Sequence, residues 1–160
     1  MRILQIDGGN LYHGLKDYLA STRVDFAALK AHFRVDRALY YNVRGPGMGA
    51  FLTALEAAGY ELRLGHLRQG PAGWQEKGVD VLLAVDMVRL AARGAREIVL
   101  VSGDEDLVPA VREARRLGAR VVVAAFQGLL SMQLAAAANE VKLLDGLPWN
   151  ELRYVREVVR

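Results

Sequence analysis

Arg2-Ile3-Leu4-Gln5-Ile6-Asp7-Gly8-Gly9-Asn10 opens the chain with a short apolar run that ends on a carboxylate and two glycines. The order recurs at 97–101, where an apolar run precedes Ser102-Gly103-Asp104. Short apolar runs of this kind are typical of strands buried in a parallel sheet. Helical periodicity follows such runs several times, which predicts a three-layer α/β/α, Rossmann-like fold with a central, mostly parallel sheet.

The hydrophobic pattern predicts six strands and six helices. The strands are expected near residues 2–6, 36–43, 60–66, 97–101, 119–125 and 140–144, and the helices near 11–20, 25–32, 48–58, 79–93, 106–117 and 129–138. Two Gly-rich segments, 44–49 and 68–78, are predicted to be loops. The first fits neither the dinucleotide fingerprint nor the P-loop pattern, so no nucleotide cofactor is expected.

Composition excludes several classes of protein. The chain has 160 residues, of which 52% are apolar, so an intrinsically disordered chain is excluded. It has no Cys, which excludes disulfides and thiolate metal sites. No apolar run approaches the roughly 20 residues of a membrane helix, and the N-terminus lacks the features of a signal peptide. We therefore expect a cytoplasmic protein with no membrane contact. The net charge of +3 is only mildly basic.

One domain is predicted over residues 1–145, followed by a tail over 146–160. The tail carries Trp149, Leu152, Tyr154 and Val155 among charged residues. We expect it to pack either on the domain or on a partner.

Four carboxylates are predicted to meet at one edge of the sheet. Asp7 ends the first strand, Asp104 and Asp106 follow the fourth, and Asp80 opens the helix near 79–93. In an open parallel sheet, ligands bind beyond the carboxyl ends of the strands. Clustered carboxylates repel one another and lose hydration, so a cation must offset the cost. Oxygen ligands without His or Cys suit Mg²⁺ or Mn²⁺.

Each of these residues also has a purely structural interpretation. Asp7 or Asn10 could cap the helix that follows, and Asp104 and Asp106 could be helix-start residues. Asp86 lies six residues after Asp80, about 240° around the helix, so it either supports the site indirectly or is structural.

Trp74 presents a similar choice. Its ring could stack on a nucleobase, cover the core or form a dimer contact.

The ordered motifs resemble the NYN domains of the PIN-like nuclease superfamily, with the bacterial LabA-like (DUF88) group most similar. They are Asp7-x-x-Asn10, Lys77-Gly78-x-Asp80 followed by Asp86, and Ser102-Gly103-Asp104-x-Asp106. The resemblance implies a PIN-like sheet in which the third, second, first, fourth and fifth strands lie side by side. It also implies that Asp7, Asp80, Asp104 and Asp106 are catalytic, metal-binding residues. Asn10, Lys77 and Ser102 would then contact or orient the substrate.

The resulting prediction is a ribonuclease that uses Mg²⁺ or Mn²⁺ to cleave RNA, most simply single-stranded RNA. The alternative is a non-catalytic module that binds RNA or protein on the same fold. A phosphatase with Asp7 as nucleophile is disfavoured, because Gly9 stands where its second Asp would be expected. Open sheet edges need cover, which makes a homodimer a reasonable expectation.

Overall fold

The computed structural model describes residues 1–153 as a seven-stranded sheet with helices on both faces. The strands are β1 (Arg2–Asp7), β2 (Arg37–Val43), β3 (Tyr60–Gly70), β4 (Gly73–Lys77), β5 (Glu97–Val101), β6 (Arg120–Ala125) and β7 (Glu140–Leu143). The helices are α1 (Gly8–Leu19), α2 (Phe26–Phe33), α3 (Gly49–Ala57), α4 (Val79–Ala92), α5 (Val108–Arg116), α6 (Met132–Ala137) and α7 (Trp149–Leu152). Three 3₁₀ turns lie at Glu105–Leu107, Gln127–Leu129 and Leu144–Gly146.

The strand order in the sheet is β4-β3-β2-β1-β5-β6-β7. All neighbours are parallel except β3 and β4, which pair antiparallel. The predicted order of the five central strands is therefore confirmed, with β4 and β7 added at the two edges. The α/β architecture is confirmed as well.

Each face of the sheet has its own hydrophobic core. Ile3 of β1 packs with α4, α5 and α6 on one face, whereas Leu4 and Ile6 pack with α1, α2 and α3 on the other. Successive side chains of a strand point to opposite faces, so a strand covered on both sides must be apolar at nearly every position. That requirement explains the unbroken apolar runs that made the central strands recognisable.

One predicted loop is wrong. Residues 68–78 form a β-hairpin, in which β3 continues to Gly70 and turns at 71–72 into β4. All five residues of β4 are exposed. A strand that is exposed on both faces has no apolar alternation, so hydrophobic periodicity could not identify it. Trp74 lies on this hairpin with 67% of its surface exposed, so it does not cover the core of residues 1–153.

The first part of the predicted tail packs on the domain. Trp149 and Leu152 of α7 are buried in the core beside α1 and α2. The Trp149 indole Nε1–H donates to the Leu144 carbonyl oxygen at 2.7 Å, and the Asp25 backbone N–H donates to the Leu152 carbonyl oxygen at 2.8 Å. Tyr154 and Val155 lie outside the described residues.

The helices of residues 1–153 are short. The longest, α4, has 14 residues, and none is long and apolar enough to cross a lipid bilayer.

Candidate metal centre

The site lies where the chain reverses its direction of travel across the sheet. From β1 the chain moves to β2 and β3 on one side, and it later returns to place β5 on the other side of β1. Ile6 of β1 pairs with Val101 of β5, so Asp7 and Ser102 leave the sheet side by side. A crevice forms at such a switch point beyond the carboxyl ends of the strands, and ligands bind there in open α/β sheets.

Three carboxylates meet in this crevice. Asp7, Asp80 and Asp104 each present one oxygen, and these three oxygens lie within 4.8 Å of one another. Asp7 is buried, Asp104 is half-buried and Asp80 is exposed. The three residues come from the end of β1, the first turn of α4 and the loop after β5, so the tertiary fold builds the cluster from distant parts of the chain.

Asp7 both caps a helix and belongs to the cluster. Its Oδ1 accepts from the Asn10 backbone N–H at 3.2 Å, so α1 begins at Gly8, three residues earlier than predicted. Its Oδ2 accepts from the Ser102 hydroxyl at 2.9 Å. The structural and functional interpretations of Asp7 are therefore compatible, because capping fixes the carboxylate and leaves it facing the crevice.

Hydrogen bonds join the loop after β5 to the start of α1. The Asp104 backbone N–H donates to Ser102 Oγ at 3.2 Å, and the Gly103 backbone N–H donates to Asn10 Oδ1 at 3.2 Å. Asp104 Oδ1 in turn accepts from the Asp106 backbone N–H at 2.9 Å and caps the 3₁₀ turn that follows. Asp7 and Asp104 are thus held in position by a connected set of bonds.

Asp80 reaches the cluster because the chain turns sharply before α4. Gly78 adopts φ 86°, a left-handed conformation that glycine enters without steric cost. A Cβ on Gly65 of β3 would lie 2.4 Å from the Lys77 carbonyl oxygen, so only glycine lets the two segments approach this closely. These two glycines bring the first turn of α4 up to the sheet edge.

The electrostatics of the site favour a cation. The pKa of Asp80 is raised to about 6, first by partial loss of hydration in the crevice and then by the negative charges of Asp104, Asp7, Asp106 and Glu76. The pKa of Asp7 is also raised, mainly by burial, although the bonds from Asn10 and Ser102 oppose that rise. A bound cation would favour the charged form of both carboxylates and so oppose these rises in pKa.

The other predicted residues take different places. Asp106 is exposed and lies outside the three-carboxylate group, although its charge acts on Asp80. Lys77 is exposed at the last position of β4, three residues before Asp80. Ser102 is fully buried. Ligand or substrate roles for Asp106, Asn10, Lys77 and Ser102 stay predictions.

Asp86 belongs to a separate buried network. Its Oδ2 accepts from Arg63 Nε at 2.8 Å and from the Tyr41 hydroxyl at 2.9 Å. Gln5 Nε2 donates to the same Tyr41 oxygen at 2.8 Å. These bonds link Asp86 of α4 to β2 and β3, which favours the structural interpretation of Asp86.

Glu76 of β4 is an acidic neighbour that the sequence did not reveal. A Cβ placed on Gly9 would lie 3.8 Å from Asp7 Oδ1 and 3.9 Å from Glu76 Oε2, so both carboxylates lie close to Gly9. The charge of Glu76 contributes to the raised pKa values of Asp7 and Asp80. The sequence did not place Glu76 near the site, because the hairpin that carries Glu76 was predicted to be a loop.

The fold and the site together define an α/β protein with an acidic, cation-attracting centre at the switch point of its sheet. The model of the NYN domain matches residues 3–145, and the chain belongs to that family. This is a nuclease-type family. The motifs at Asp7, Asp80 and Asp104 all fall within the matched segment.

The names of two similar proteins give no function. The chain is 46% identical over 63 residues to the uncharacterized protein y4oD of Sinorhizobium fredii, a match that covers 38% of this chain and 28% of that relative's length. The crystal structure of VPA0982 from Vibrio parahaemolyticus, a protein of unknown function, superposes with a TM-score of 0.80 at 22% identity. That match covers 96% of this chain and 95% of the other, and it supports the fold alone.

Proposed function

We propose that the protein is a ribonuclease that hydrolyses phosphodiester bonds of single-stranded RNA with the help of a divalent metal ion. The observation that carries the proposal is the convergence of Asp7, Asp80 and Asp104 at the switch point of a nuclease-type fold. Three carboxylate oxygens within 4.8 Å of one another repel unless a cation lies among them.

The donor set fits Mg²⁺ or Mn²⁺. Asp7, Asp80 and Asp104 would hold the ion, with Asp106 as the candidate fourth carboxylate at the exposed rim. Hard carboxylate oxygens without His or Cys match the preference of these two metals. When bound, such an ion neutralises charge that develops on a phosphoryl oxygen and favours deprotonation of water.

The surrounding residues would then position the reacting groups. Ser102 and Asn10 fix the Asp7 carboxylate and the loop that carries Asp104. The Lys77 ammonium would meet a phosphate of the bound strand as a point charge. Water would be the nucleophile, attacking in line with the leaving oxygen, and Asp106 would accept a hydrogen bond from it. In this proposal these residues orient the reacting groups or supply charge, and none of them forms a covalent bond to the substrate.

The first experiment is a Mn²⁺ and Mg²⁺ titration followed by calorimetry, run beside cleavage of a labelled single-stranded RNA. Asp104→Asn is expected to bind metal weakly and to lose cleavage while keeping its circular dichroism spectrum. Asp17→Asn, an exposed substitution of the same kind on α1, is the matched control and should behave as wild type. Cleavage by purified Asp104→Asn at the wild-type rate would refute the proposal. Metal binding without turnover of any RNA or DNA would instead favour a non-catalytic binding module.

A homodimer and a cytoplasmic location stay predictions. The open edges β4 and β7 are the candidate contacts between two copies, and analytical ultracentrifugation would measure the mass of the particle in solution.

A further inference from the structure

A cavity of about 550 Å³ opens directly beside the acidic cluster. Gly8 and Gly9, which follow Asp7, form one of its walls together with Glu76. This volume lies within the range of roughly 300–1,000 Å³ that ligand sites occupy. We propose that the cavity binds one unpaired nucleobase of the RNA strand whose phosphodiester lies at the Asp cluster. The inference rests on the proposed function and adds a recognition site to it.

Aromatic rings make up much of the cavity lining. Tyr12, Phe26, Tyr40 and Phe51 all contribute to it. The rings of Phe26, Tyr40 and Phe51 contact one another edge to face, with centroids 5.7 to 5.8 Å apart. Aromatic side chains of this kind bind unstacked bases whatever their sequence, because every base has a π-face. An aliphatic pocket would not offer that interaction.

The cavity lining also carries polar groups, namely Asn42 and the Tyr40 hydroxyl together with His13, Thr22 and Glu76. Asn42, at the carboxyl end of β2, donates through Nδ2 to the Tyr40 hydroxyl at 3.5 Å. Within residues 1–153 the Tyr40 hydroxyl takes part in that bond as acceptor and donates to no protein oxygen. An apolar cavity with a few convergent donors and acceptors is the usual form of a small-ligand site, and a base edge supplies the complementary groups.

The cavity and the acidic cluster are adjacent along the backbone. A Cβ on Gly8 would lie 2.5 Å from the Tyr40 hydroxyl oxygen, so that hydroxyl touches the residue next to Asp7. Gly9 then presents no side chain between the Asp7 carboxylate and the cavity. A base in the cavity and a phosphate at the cluster could therefore belong to neighbouring positions of one strand.

A second cavity adjoins the first and would give room for a chain longer than one nucleotide. It shares Thr22, Phe26 and Phe51 with the first cavity and continues away from the cluster along α3. Arg23 lines it and can meet a phosphate. Further nucleotides of the strand would lie along this second cavity.

Two tyrosines on α1 provide a matched test. Tyr12 lines the cavity and is 49% exposed, whereas Tyr18 lies on the same helix outside the cavity and is 46% exposed. Binding of fluorescein-labelled oligoadenosine and oligouridine octamers is measured by fluorescence anisotropy in the Asp104→Asn background, with gels to confirm that the RNA stays intact. A third probe has the same length but abasic residues.

We expect Tyr12→Leu and Phe51→Leu to raise the Kd for the RNA octamers about 10-fold, since loss of base–aromatic stacking has an effect of this order. Tyr18→Leu should remain within twofold of its parent, and all variants should bind the abasic probe equally. Thermal unfolding checks that each variant is folded. If Phe51→Leu does not fold, Tyr12→Leu alone tests the proposal, because Tyr12 is exposed and its substitution should leave the fold intact.

Equal affinities of Tyr12→Leu and Tyr18→Leu for the RNA octamers would overturn the subsite. The same conclusion would follow if Tyr12→Leu lost as much affinity for the abasic probe as for the RNA octamers, or if the parent protein bound no RNA. If wild type cleaves RNA and the two tyrosine variants bind alike, the nuclease stands and the subsite is wrong. If binding depends on Tyr12 and on the base while wild type cleaves nothing, the subsite stands as a binding site and the nuclease is wrong.

Discussion

The Ser102 hydroxyl donates to Asp7 Oδ2 at 2.9 Å while accepting from the Asp104 backbone N–H at 3.2 Å. One buried side chain thereby touches two residues of the acidic cluster. The bond from Ser102 also lowers the pKa of Asp7 against the larger effect of burial. Ser102 is thus a buried residue that holds Asp7 and Asp104 in position through hydrogen bonds.

Ser102→Ala is expected to weaken Mn²⁺ binding by roughly 10- to 100-fold, the usual effect of removing a residue that orients a metal ligand. The Asp7 carboxylate would lose a hydrogen bond that favours its charged form. Calorimetric titration of Mn²⁺ measures the change. Ser21→Ala, which removes an exposed-loop hydroxyl that accepts from the Arg23 backbone N–H, is the control. Unchanged affinity in Ser102→Ala would contradict the positioning role.

Asp80→Asn is expected to stabilise the metal-free protein at pH 7. The pKa of Asp80 is about 6 in the fold against an ordinary 3.8, so between these values the folded state binds more protons than the unfolded state. The contribution of Asp80 to the free energy of unfolding should therefore fall as pH rises from 4 to 6. Asp80→Asn removes the titrating group and with it this pH-dependent loss of stability.

Thermal unfolding in EDTA at pH 4.5 and pH 7 measures this effect. The gain in Tm from Asp80→Asn should be larger at pH 7, where wild-type Asp80 is charged. Added Mg²⁺ should raise the Tm of wild type more than that of the variant, because the ion binds the folded state. A lower Tm for Asp80→Asn at pH 7 would contradict the repulsion inferred here.

Asp86→Asn should have the opposite effect on stability, although Asp86 lies on the same helix. Its carboxylate is 6% exposed and accepts from Arg63 and Tyr41. Loss of the charged partner leaves these donors poorly satisfied and should lower the free energy of unfolding by about 2 kcal/mol. Urea denaturation measures the change, and Mn²⁺ affinity should stay within about threefold of wild type. A large loss of metal affinity with unchanged stability would instead assign Asp86 to the site.

Glu76→Gln is expected to weaken Mn²⁺ binding several-fold at low ionic strength. Glu76 adds negative charge beside Asp7 and Asp80 but is exposed, so its contribution is screened by salt. The difference from wild type should therefore shrink at about 0.5 M salt. Glu56→Gln, an exposed change of the same charge on α3, is the control. Equal effects of the two substitutions would show that Glu76 has no special relation to the site.

The central sheet and all three clustered carboxylates were predicted from the sequence. Strands covered on both faces need continuous apolar runs, and β1 and β5 are such runs. Because parallel strands end at the same edge, residues that follow β1 and β5 must lie near each other, which placed Asp7 beside Asp104. Asp80 was placed at the same edge because it opens the helix near 79–93. Helical geometry also separated Asp86 from Asp80, since six residues place them on different faces.

Tertiary structure alone decided which further groups join the site. Nothing in local periodicity marks β4, because it is exposed and is held by backbone pairing with β3. The proximity of Glu76 to the site therefore depends on the hairpin, which places Glu76 beside Gly9. The tertiary structure also shows that Asp106 lies outside the group formed by the other three carboxylates. The aromatic cavity likewise combines α1, α2, β2 and α3. Patterns along the chain report which side chains are buried, whereas distances between exposed groups on separate elements depend on how those elements pack.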